Sequence, residues 1–444
     1  MKNQVVVTFD MDGVIVDTIT PLFNLYLRIL SDYGVTGDRA GFERLNGCNL
    51  DEIVSWLMDT YSLHTFKNEL YTKFKEGFAN LYDEVQLCPG VMQLLDELKE
   101  QNVKINLASS ASRKSIDTVL ATFSLREYFS YIVSGDDVAK AKPDPEIYSK
   151  VKARYSSIEH FVIEDSANGI LAASRAGLIP IHYAPDVTEN HQRICFYRIS
   201  KLIDALSIVN DQRALVLAQG SELDIENFDE PMDLQMADET KIEALWQQAI
   251  KVNPSLFDDL IKSYKGHTVA ENGKIVVSSA TVAYRKLYAG LMDAELPKYR
   301  ALAVSAIAQD KNGNVLLGKR GSQVSEYPGY WETVPSGGLP AQNQDMDSHR
   351  AQSIIEFNEE TGLATEDIES YNVLGLIYDR EHQVIDIVAH IALREVIDPD
   401  QLKSDEYEQF VLCSAKDLST KGSELPMIPG AVIIGEMLNV CNNP

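Results

Sequence analysis

An apolar run near the start of the chain ends abruptly at two aspartates one residue apart. Residues 5–9 have the β-branched composition of a buried strand, and Asp10 and Asp12 follow them directly. Gly13 then lets the backbone turn away. Because side chains two residues apart on an extended chain share a side, the sequence predicts a pair of carboxylates at one strand end. An ordinary turn at Asp12-Gly13, capped by Asp10, is the alternative interpretation.

A helical segment follows this strand. Apolar residues between Leu22 and Tyr33 recur at intervals of three and four, and the same period predicts helices over residues 50–61 and 70–81. Residues 19–86 are therefore predicted to form an all-helical insertion, which Pro89-Gly90 ends.

Strands and helices alternate after this insertion, which is typical of an α/β fold with a Rossmann-like, doubly wound parallel sheet. Strands are predicted over residues 103–108, 131–134 and 160–163, and helices over 91–100 and 114–123 and from residue 146. Each strand ends in polar residues at the edge where such sheets bind ligands. These residues are Ser109 and Ser110 after the first of the three strands, Lys142 after the second, and Glu164 and Asp165 after the third.

Together the strand ends supply carboxylates, a hydroxyl and a lysine, which can hold Mg²⁺ and a phosphate. This set resembles the haloacid dehalogenase (HAD) superfamily, in the subgroup with a helical cap inserted after the first strand, over about the first 200 residues. The resemblance implies that Asp10 is the nucleophile, which forms an aspartyl-phosphate, and that Asp12 is the general acid and base. A solvated surface lysine is the alternative for Lys142, and a helix N-cap is the alternative for Ser109 or Asp165.

The resemblance also assigns roles to the other groups. Ser109 would hydrogen-bond the phosphoryl group, and Lys142 would neutralise charge on the nucleophile and on the phosphoryl group. The implied Mg²⁺ ligands are Asp10, Asp12, Glu164 and Asp165.

The substrate is the next question, and the nearest activities in this subgroup are those of sugar-phosphate phosphatases and β-phosphoglucomutase. The mutase pattern has a histidine and an arginine where this chain has Leu22 and Leu50. Hydrolysis of a small phosphomonoester, in particular a sugar phosphate, is therefore predicted. Candidate substrate-binding residues are Thr18, Arg44, Asn46, Asn49 and Ser110.

A change in composition predicts a domain boundary in the middle of the chain. An amphipathic helix is predicted over residues 199–209, and the acidic stretch at 213–240 is predicted to be a solvated linker. The domains would then span residues 1–212 and 241–444. The second begins with a helix over residues 241–251, and its strands at 300–308 and 315–319 are predicted to form a hairpin through Asn312-Gly313.

Three glutamates characterise the second domain. Glu356, Glu359 and Glu360 follow the loop Pro335-Ser336-Gly337-Gly338, at spacings that place them on one face of a helix. Like charges so close repel each other, so a bound divalent cation is a natural reason for them; an acidic solvent face is the alternative. With Gly362 and Leu363 the stretch resembles the Nudix hydrolase motif, and the upstream part around Trp246 is similar to the UDP-glucose pyrophosphatase branch.

The Nudix resemblance implies an α/β/α sandwich and a diphosphatase over about residues 240–444. Its metal ligands for Mg²⁺ or Mn²⁺ would be Glu356, Glu359 and Glu360, with Glu360 catalytic, Gly337 and Gly338 at the substrate, and Glu408 an additional ligand or base. The chain departs from the motif at Ile355, where arginine is expected, and at Asp347, where glutamate is expected. The loop from Gly338 to Glu356 is also three residues longer.

Composition limits the classes of partner. The formal net charge of −26 and the pI near 4.7 disfavour nucleic acids and anionic membranes. The five cysteines are dispersed without a Cys-x-x-Cys pair, as in reduced core thiols, so a zinc site is not expected. No signal peptide or membrane-spanning run is recognised, so a cytoplasmic location is predicted.

These observations predict a bifunctional, Mg²⁺-dependent phosphohydrolase. Its N-terminal domain would dephosphorylate a small phosphate ester, and its C-terminal domain would cleave a nucleoside diphosphate derivative such as a nucleotide sugar. The alternative is a phosphatase regulated by an inactive, nucleotide-binding Nudix-fold module. The sequence leaves the oligomeric state open.

Overall fold

A computed structural model describes most of the chain. It covers residues 5–45, 50–63, 67–155, 159–185, 195–211, 214–228, 238–254, 256, 258–293, 295–322, 324, 327–342, 345, 348–421 and 425–442. The candidate residues Asn46 and Asn49, and the motif position Asp347, lie outside the described residues.

The N-terminal half is built on a parallel sheet. Its elements are, in chain order, β1 (Val6–Phe9), β2 (Val16–Asp17), α1 (Ile19–Asp32), α2 (Arg39–Glu43), α3 (Leu50–Tyr61), α4 (Lys67–Ala79), β3 (Gln86–Leu87), α5 (Val91–Glu100), β4 (Lys104–Ala108), α6 (Arg113–Thr122), β5 (Tyr131–Val133), α7 (Glu146–Lys152), β6 (His160–Glu164), α8 (Ala167–Arg175), β7 (Ile179–Tyr183), β8 (Tyr197–Ile199) and α9 (Ala205–Val209). Six strands pair in the order β5-β4-β1-β6-β7-β8, and all five pairings are parallel. The predicted α/β fold with a parallel sheet is confirmed.

Helices α1 to α4 form a separate layer, which we call the cap. They pack around a core of their own that includes Leu25, Tyr26, Leu57, Leu70 and Phe74. The chain enters the cap through β2 and returns through β3. These two strands pair antiparallel, with Val16 opposite Leu87. The cap is therefore attached to the parallel sheet through two adjacent crossings of the chain.

The C-terminal half contains a larger, mixed sheet. Its elements are β9 (Ala214–Gln219), β10 (Leu223–Phe228), α10 (Glu239–Val252), β11 (Leu260–Val269), β12 (Ile275–Ala283), α11 (Tyr284–Met292), β13 (Ala301–Gln309), β14 (Asn314–Arg320), β15 (Trp331–Thr333), β16 (Ser336–Gly338), α12 (Ser348–Thr361), β17 (Ile368–Asp379), β18 (Val384–Leu393), β19 (Tyr407–Ser414), α13 (Ala415–Lys421) and α14 (Pro429–Asn442). The central path of the sheet runs β10-β12-β11-β13-β18-β17-β9. None of the helices in the described ranges has the length and apolar character that a membrane span requires.

Two helices cover opposite faces of this sheet. On β13, Ala306 belongs to the apolar cluster around Phe357 of α12, whereas the next residue, Ile307, belongs to the cluster around Met437 of α14. Because successive side chains of a strand point to opposite faces, α12 and α14 lie on the two sides of the sheet. The C-terminal half thus has helix, sheet and helix layers around β13 and β18.

The predicted solvated linker differs from the structure. Residues 214–219 and 223–228 are strands β9 and β10 of the C-terminal sheet, and β9 pairs antiparallel with β17. Leu215, Leu217 and Ile225 are buried there, while Glu226 is exposed. In β10 apolar residues alternate with polar and acidic ones, as in a strand with one solvated face, and this acidic composition concealed the strand. Strand β9 is apolar and buried over nearly its whole length, so the predicted linker began too early in the chain. The predicted helix over residues 199–209 is likewise confined to Ala205–Val209, because Tyr197–Ile199 extends the parallel sheet.

The two halves share a core and a buried ion pair. One cluster of buried apolar residues contains Val7 and Phe9 of β1 together with Leu302 and Ile387 of the C-terminal sheet. Nearby, Arg380 donates a hydrogen bond of 2.9 Å to Glu159, and both side chains are less than a tenth exposed. The halves therefore pack against each other through apolar contacts and one desolvated pair of charges.

We expect Glu159→Gln to lower the free energy of unfolding by about 3 kcal/mol, because the Arg380 guanidinium stays buried and loses its carboxylate. Urea unfolding followed by circular dichroism measures the change. The matched control is Glu369→Gln, an exposed position on β17, where we expect less than about 0.5 kcal/mol. Equal stability of the two variants would contradict the role of this ion pair.

Candidate active site

The register of the parallel sheet brings three strand ends to one edge. Phe9 of β1 lies level with Leu107 of β4 and with Ile163 of β6. The backbone amide of Asp10 donates a 3.0 Å hydrogen bond to the carbonyl of Ile163. The residues that follow each strand therefore emerge side by side, as the sequence predicts for a ligand site at the carboxyl edge.

Lys142 lies between two carboxylates at this edge. Its Nζ atom is 2.6 Å from Oδ1 of Asp10 and 2.6 Å from Oε1 of Glu164, and it also donates to the carbonyl of Ala108 at 3.3 Å. All three charged side chains are less than a tenth exposed. Burial alone would lower the pKa of Lys142, but Asp10, Tyr148 and Glu164 raise it well above its usual value. The lysine is thus held as a cation against the predicted nucleophile.

Both carboxylate oxygens of Glu164 accept hydrogen bonds from other side chains of the protein. Its Oε1 accepts hydrogen bonds from Lys142 and, at 2.7 Å, from the hydroxyl of Tyr148, while its Oε2 accepts one from Ser166 at 3.0 Å. The Tyr148 ring also lies 4.9 Å from Lys142 Nζ. These contacts suit Glu164 to holding Lys142 in place. Sequence reasoning missed Tyr148, because it occupies a buried position of α7 and only the packing of that helix brings it to the site.

Asp165 occupies space that Gly13 leaves open. A Cβ atom on Gly13 would lie 1.9 Å from Oδ2 of Asp165, and the φ angle of Gly13 is +76°. Both the turn and the close approach therefore require glycine. The loop after β1 and the loop after β6 meet at this point.

Three acidic residues could hold a metal ion here. Asp10, Glu164 and Asp165 each offer a ligand atom, and these atoms lie within 4.8 Å of one another, an arrangement not repeated elsewhere in the described part of the chain. Burial, then Glu164 and Asp12, raise the pKa of Asp165 to about 7. Burial also raises the pKa of Asp10. The positive charge of Lys142 opposes this change, and the neighbouring carboxylates add to it. One lysine does not balance so many buried carboxylates, so the residues fit a divalent cation.

Asp12 lies beside two hydroxyl groups. Tyr82 donates to its Oδ1 at 3.1 Å, and Ser109 donates to its Oδ2 at 3.4 Å. The Ser109 hydroxyl also accepts a hydrogen bond from the amide of Ala111. Burial raises the pKa of Asp12, and the bonds from Tyr82 and Ser109 oppose that change. Sequence reasoning did not identify Tyr82, which comes from the segment between the cap and β3 and carries no spacing signal.

The remaining N-terminal candidates have varied surroundings. Thr18 is buried at the N-cap of α1 without a side-chain cap hydrogen bond, and the neighbouring Asp17 instead accepts from the amide of Thr20. Ser110 and Arg44 are exposed. The structure thus brings Asp10, Asp12, Ser109, Lys142, Glu164 and Asp165 together, whereas the cap candidates remain predictions.

A cavity of about 540 Å³ lies in the C-terminal half. Its polar wall includes Arg320, Glu332, Glu356 and Glu406, next to Gly337 and Gly338; its apolar wall includes Leu260, Leu287 and Leu291. Arg320 is 2.5 Å from Glu332, whose carboxylate also accepts from the Tyr407 hydroxyl at 2.9 Å. Glu406 lines the cavity but was not among the residues predicted from the sequence. Glu408, which was predicted, instead accepts from the amide of Ser322 and has an exposed side chain.

The three predicted glutamates of α12 have different surroundings. Glu356 lines the cavity and accepts a 2.7 Å hydrogen bond from Gln352. Glu360 is buried and accepts from the amide of Ser336 at 3.3 Å, and burial, followed by Glu332, Glu406 and Glu356, raises its pKa well above the usual value. Glu359 is exposed. The predicted three-glutamate metal face is therefore not assembled in the structure, because consecutive residues of a helix point about 100° apart.

Comparisons with known proteins identify the family of the N-terminal half. A family model described as haloacid dehalogenase-like hydrolase matches residues 7–181. A phosphorylated carbohydrates phosphatase of Thermotoga maritima is 35% identical over 182 residues, which are 40% of this chain and 83% of that protein. A β-phosphoglucomutase of Bacillus subtilis is 31% identical over 185 residues, 39% of this chain and 81% of that protein. A solved haloacid dehalogenase-like protein of Agrobacterium tumefaciens is 24% identical, covering 46% of this chain and 97% of its own, with a TM-score of 0.42.

We expect Mg²⁺ to raise the free energy of unfolding, because a bound cation relieves the repulsion among the buried carboxylates. At a concentration one hundred times Kd the gain is about 2.7 kcal/mol. Asp165→Asn should lose most of this gain, whereas Asp96→Asn, at an exposed position of α5, should retain it. Urea unfolding with and without Mg²⁺ tests the expectation, and equal gains in all three proteins would contradict it.

Proposed function

The chain belongs to the haloacid dehalogenase-like hydrolases, and on that premise we propose that its N-terminal half hydrolyses a small phosphomonoester, in particular a sugar phosphate. The observation that carries the proposal is the position of Lys142, which contacts Asp10 and Glu164 at 2.6 Å. A buried carboxylate held against a lysine, with a second carboxylate two residues away, suits nucleophilic attack on phosphorus followed by proton transfer.

The proposed reaction has two steps. Asp10 attacks the phosphorus atom and Asp12 gives its proton to the departing oxygen, which leaves an aspartyl-phosphate and an alcohol. Asp12 then takes a proton from water, and the water oxygen attacks phosphorus, which releases phosphate and restores Asp10. Lys142 offsets the negative charge on Asp10 and on the phosphoryl group, while Ser109 donates a hydrogen bond to that group.

Mg²⁺ is the cofactor that the family and the donor set imply. Asp10 and Asp165, with Glu164 beside them, would hold the ion. When bound, it supplies positive charge against the phosphoryl oxygens and lowers the pKa values of the carboxylates around it.

Two apolar residues of the cap favour hydrolysis over phosphoryl transfer to a second sugar. Leu22 and Leu50 occupy the positions where the mutase pattern has a histidine and an arginine, and both pack against the apolar core of the cap. Neither side chain can move a proton or bind a phosphate. A carbohydrate phosphatase is also among the relatives, and this supports a phosphorylated sugar as substrate.

Phosphate release from a panel of sugar phosphates, with Mg²⁺ present, tests this function. We expect Asp10→Asn to abolish turnover, because no aspartyl-phosphate can form, and Asp12→Asn to lower kcat by about 100- to 10,000-fold. Asp96→Asn is the matched control and should behave as wild type. If Asp10→Asn kept full activity, the assigned nucleophile would be wrong.

We propose further that the C-terminal cavity takes a nucleoside diphosphate derivative, such as a nucleotide sugar, and that this half is a Nudix-type diphosphatase. The supporting observations are the loop of Gly337 and Gly338 against Glu356 and the Arg320–Glu332–Tyr407 cluster beside Glu360. Six carboxylates and one arginine line the cavity, so a diphosphate would need Mg²⁺ or Mn²⁺ to offset the repulsion. A sugar phosphate released here would be a substrate for the N-terminal half.

Nucleotide release from nucleoside diphosphate sugars tests this second activity. We expect Glu360→Gln to abolish it and to leave sugar-phosphate hydrolysis unchanged, with Asp10→Asn showing the reverse pattern. Glu366→Gln, an exposed position after α12, is the matched control. Calorimetry with the same ligands distinguishes the alternative, since ligand binding without turnover would make this half a nucleotide-binding module that regulates the phosphatase.

A further inference from the structure

Asp12 is contacted by a residue from outside the parallel sheet. Tyr82 lies on the short 3-10 helix Leu81–Asp83, between α4 and β3. Its hydroxyl is 3.1 Å from Oδ1 and 3.4 Å from Oδ2 of Asp12. We propose that Tyr82 is a positioning residue, which holds the Asp12 carboxyl in the orientation from which it transfers protons. This inference rests on the proposed phosphatase function.

The surroundings of Tyr82 suit it to this role. Its ring packs against the apolar core that contains Phe9 and Met11, so the position of the hydroxyl is fixed by contacts on the sheet side. The other hydroxyl near Asp12, that of Ser109, is farther away at 3.4 Å and also accepts a hydrogen bond from Ala111. Tyr82 therefore makes the shorter of the two contacts that orient the Asp12 carboxyl.

The contact can persist in both steps of the reaction. A tyrosine hydroxyl donates a hydrogen bond to a carboxylate and also to the carbonyl oxygen of a carboxylic acid. Tyr82 can therefore hold one oxygen of Asp12 both before and after the other oxygen gives its proton to the departing group. No change in the position of the tyrosine is needed between the steps.

Tyr82 also ties Asp12 to the cap. Asp12 precedes β2, through which the chain enters the cap, and Tyr82 precedes β3, through which the chain returns. Because β2 and β3 pair directly, the loop that carries Asp12 and the segment that carries Tyr82 lie next to each other.

Two aryl phosphates with different leaving groups test the proposal. Phenyl phosphate and p-nitrophenyl phosphate are similar in shape, but p-nitrophenolate is the more stable anion and needs less protonation as it departs. The kcat/KM value reports formation of the aspartyl-phosphate. We expect Tyr82→Phe to lower kcat/KM for phenyl phosphate by about 10- to 100-fold and to change it by less than about 3-fold for p-nitrophenyl phosphate.

Two further variants separate positioning from a general structural effect. In an Asp12→Asn background, Tyr82→Phe should cause no additional loss, because the residue acts through Asp12. Tyr128→Phe is the matched control, since the Tyr128 hydroxyl donates to exposed Asp96, and it should match wild type on both esters. Equal losses on the two esters, or a further loss in the Asp12→Asn background, would overturn the proposal.

A crystal structure of Tyr82→Phe provides a readout that does not depend on turnover. We expect the Asp12 carboxyl to change its side-chain rotamer while the backbone of β1 stays in place. An unchanged Asp12 rotamer would overturn the positioning role, even if the protein hydrolysed none of the phosphate esters tried. Failure of the phosphatase function appears separately, as the absence of Asp10-dependent turnover in the wild-type protein.

Discussion

The contact of Lys142 with Asp10 and Glu164 is the interaction on which the N-terminal site depends. The ammonium group lies 2.6 Å from both carboxylates in a setting from which water is largely excluded. Without that cation, four acidic residues would face one another at the end of a buried sheet, a costly arrangement in a medium of low dielectric constant. The lysine therefore makes the acidic cluster compatible with folding, and the site still has negative charge left to attract a divalent ion.

The four acidic residues around this lysine make different contacts, which suits them to different roles. Both oxygens of Glu164 accept hydrogen bonds from protein groups, namely Lys142, Tyr148 and Ser166. Asp165 instead lies against the loop of Gly13, and Asp12 accepts a hydrogen bond from Tyr82. Residues that are adjacent in the sequence, such as Glu164 and Asp165, thus have different surroundings. This difference arises because successive side chains leave a strand end in opposite directions.

The two halves of the chain are joined more closely than a linker would imply. Strand β9 begins only a few residues after α9 and lies at the edge of the C-terminal sheet, while Arg380 reaches back to Glu159. The sheets that support the two sites consequently share one continuous cluster of buried apolar residues. In the C-terminal half, helix α12 places Glu356 at the cavity but leaves Glu359 exposed. The spacing of the glutamates in the sequence therefore did not decide which acidic residues lie close together.

The sequence by itself determined the parallel sheet and the residues at its carboxyl edge. Alternating strand and helix periods and the acidic end of the first strand are local properties, so helices such as Val91–Glu100 and the position of Asp10 follow from the residues themselves. Strand β10 escaped prediction because an edge strand with one polar face has the composition of a solvated segment. Apolar β9 escaped because the predicted linker was extended back from the acidic residues that follow it. Only the tertiary structure decided the partners of the charged groups: Tyr82 and Tyr148 at the N-terminal site, Glu406 in place of Glu408 at the cavity, and Arg380 beside Glu159. Each of these depends on distances between residues far apart in the chain, which burial and packing fix and which no local pattern encodes.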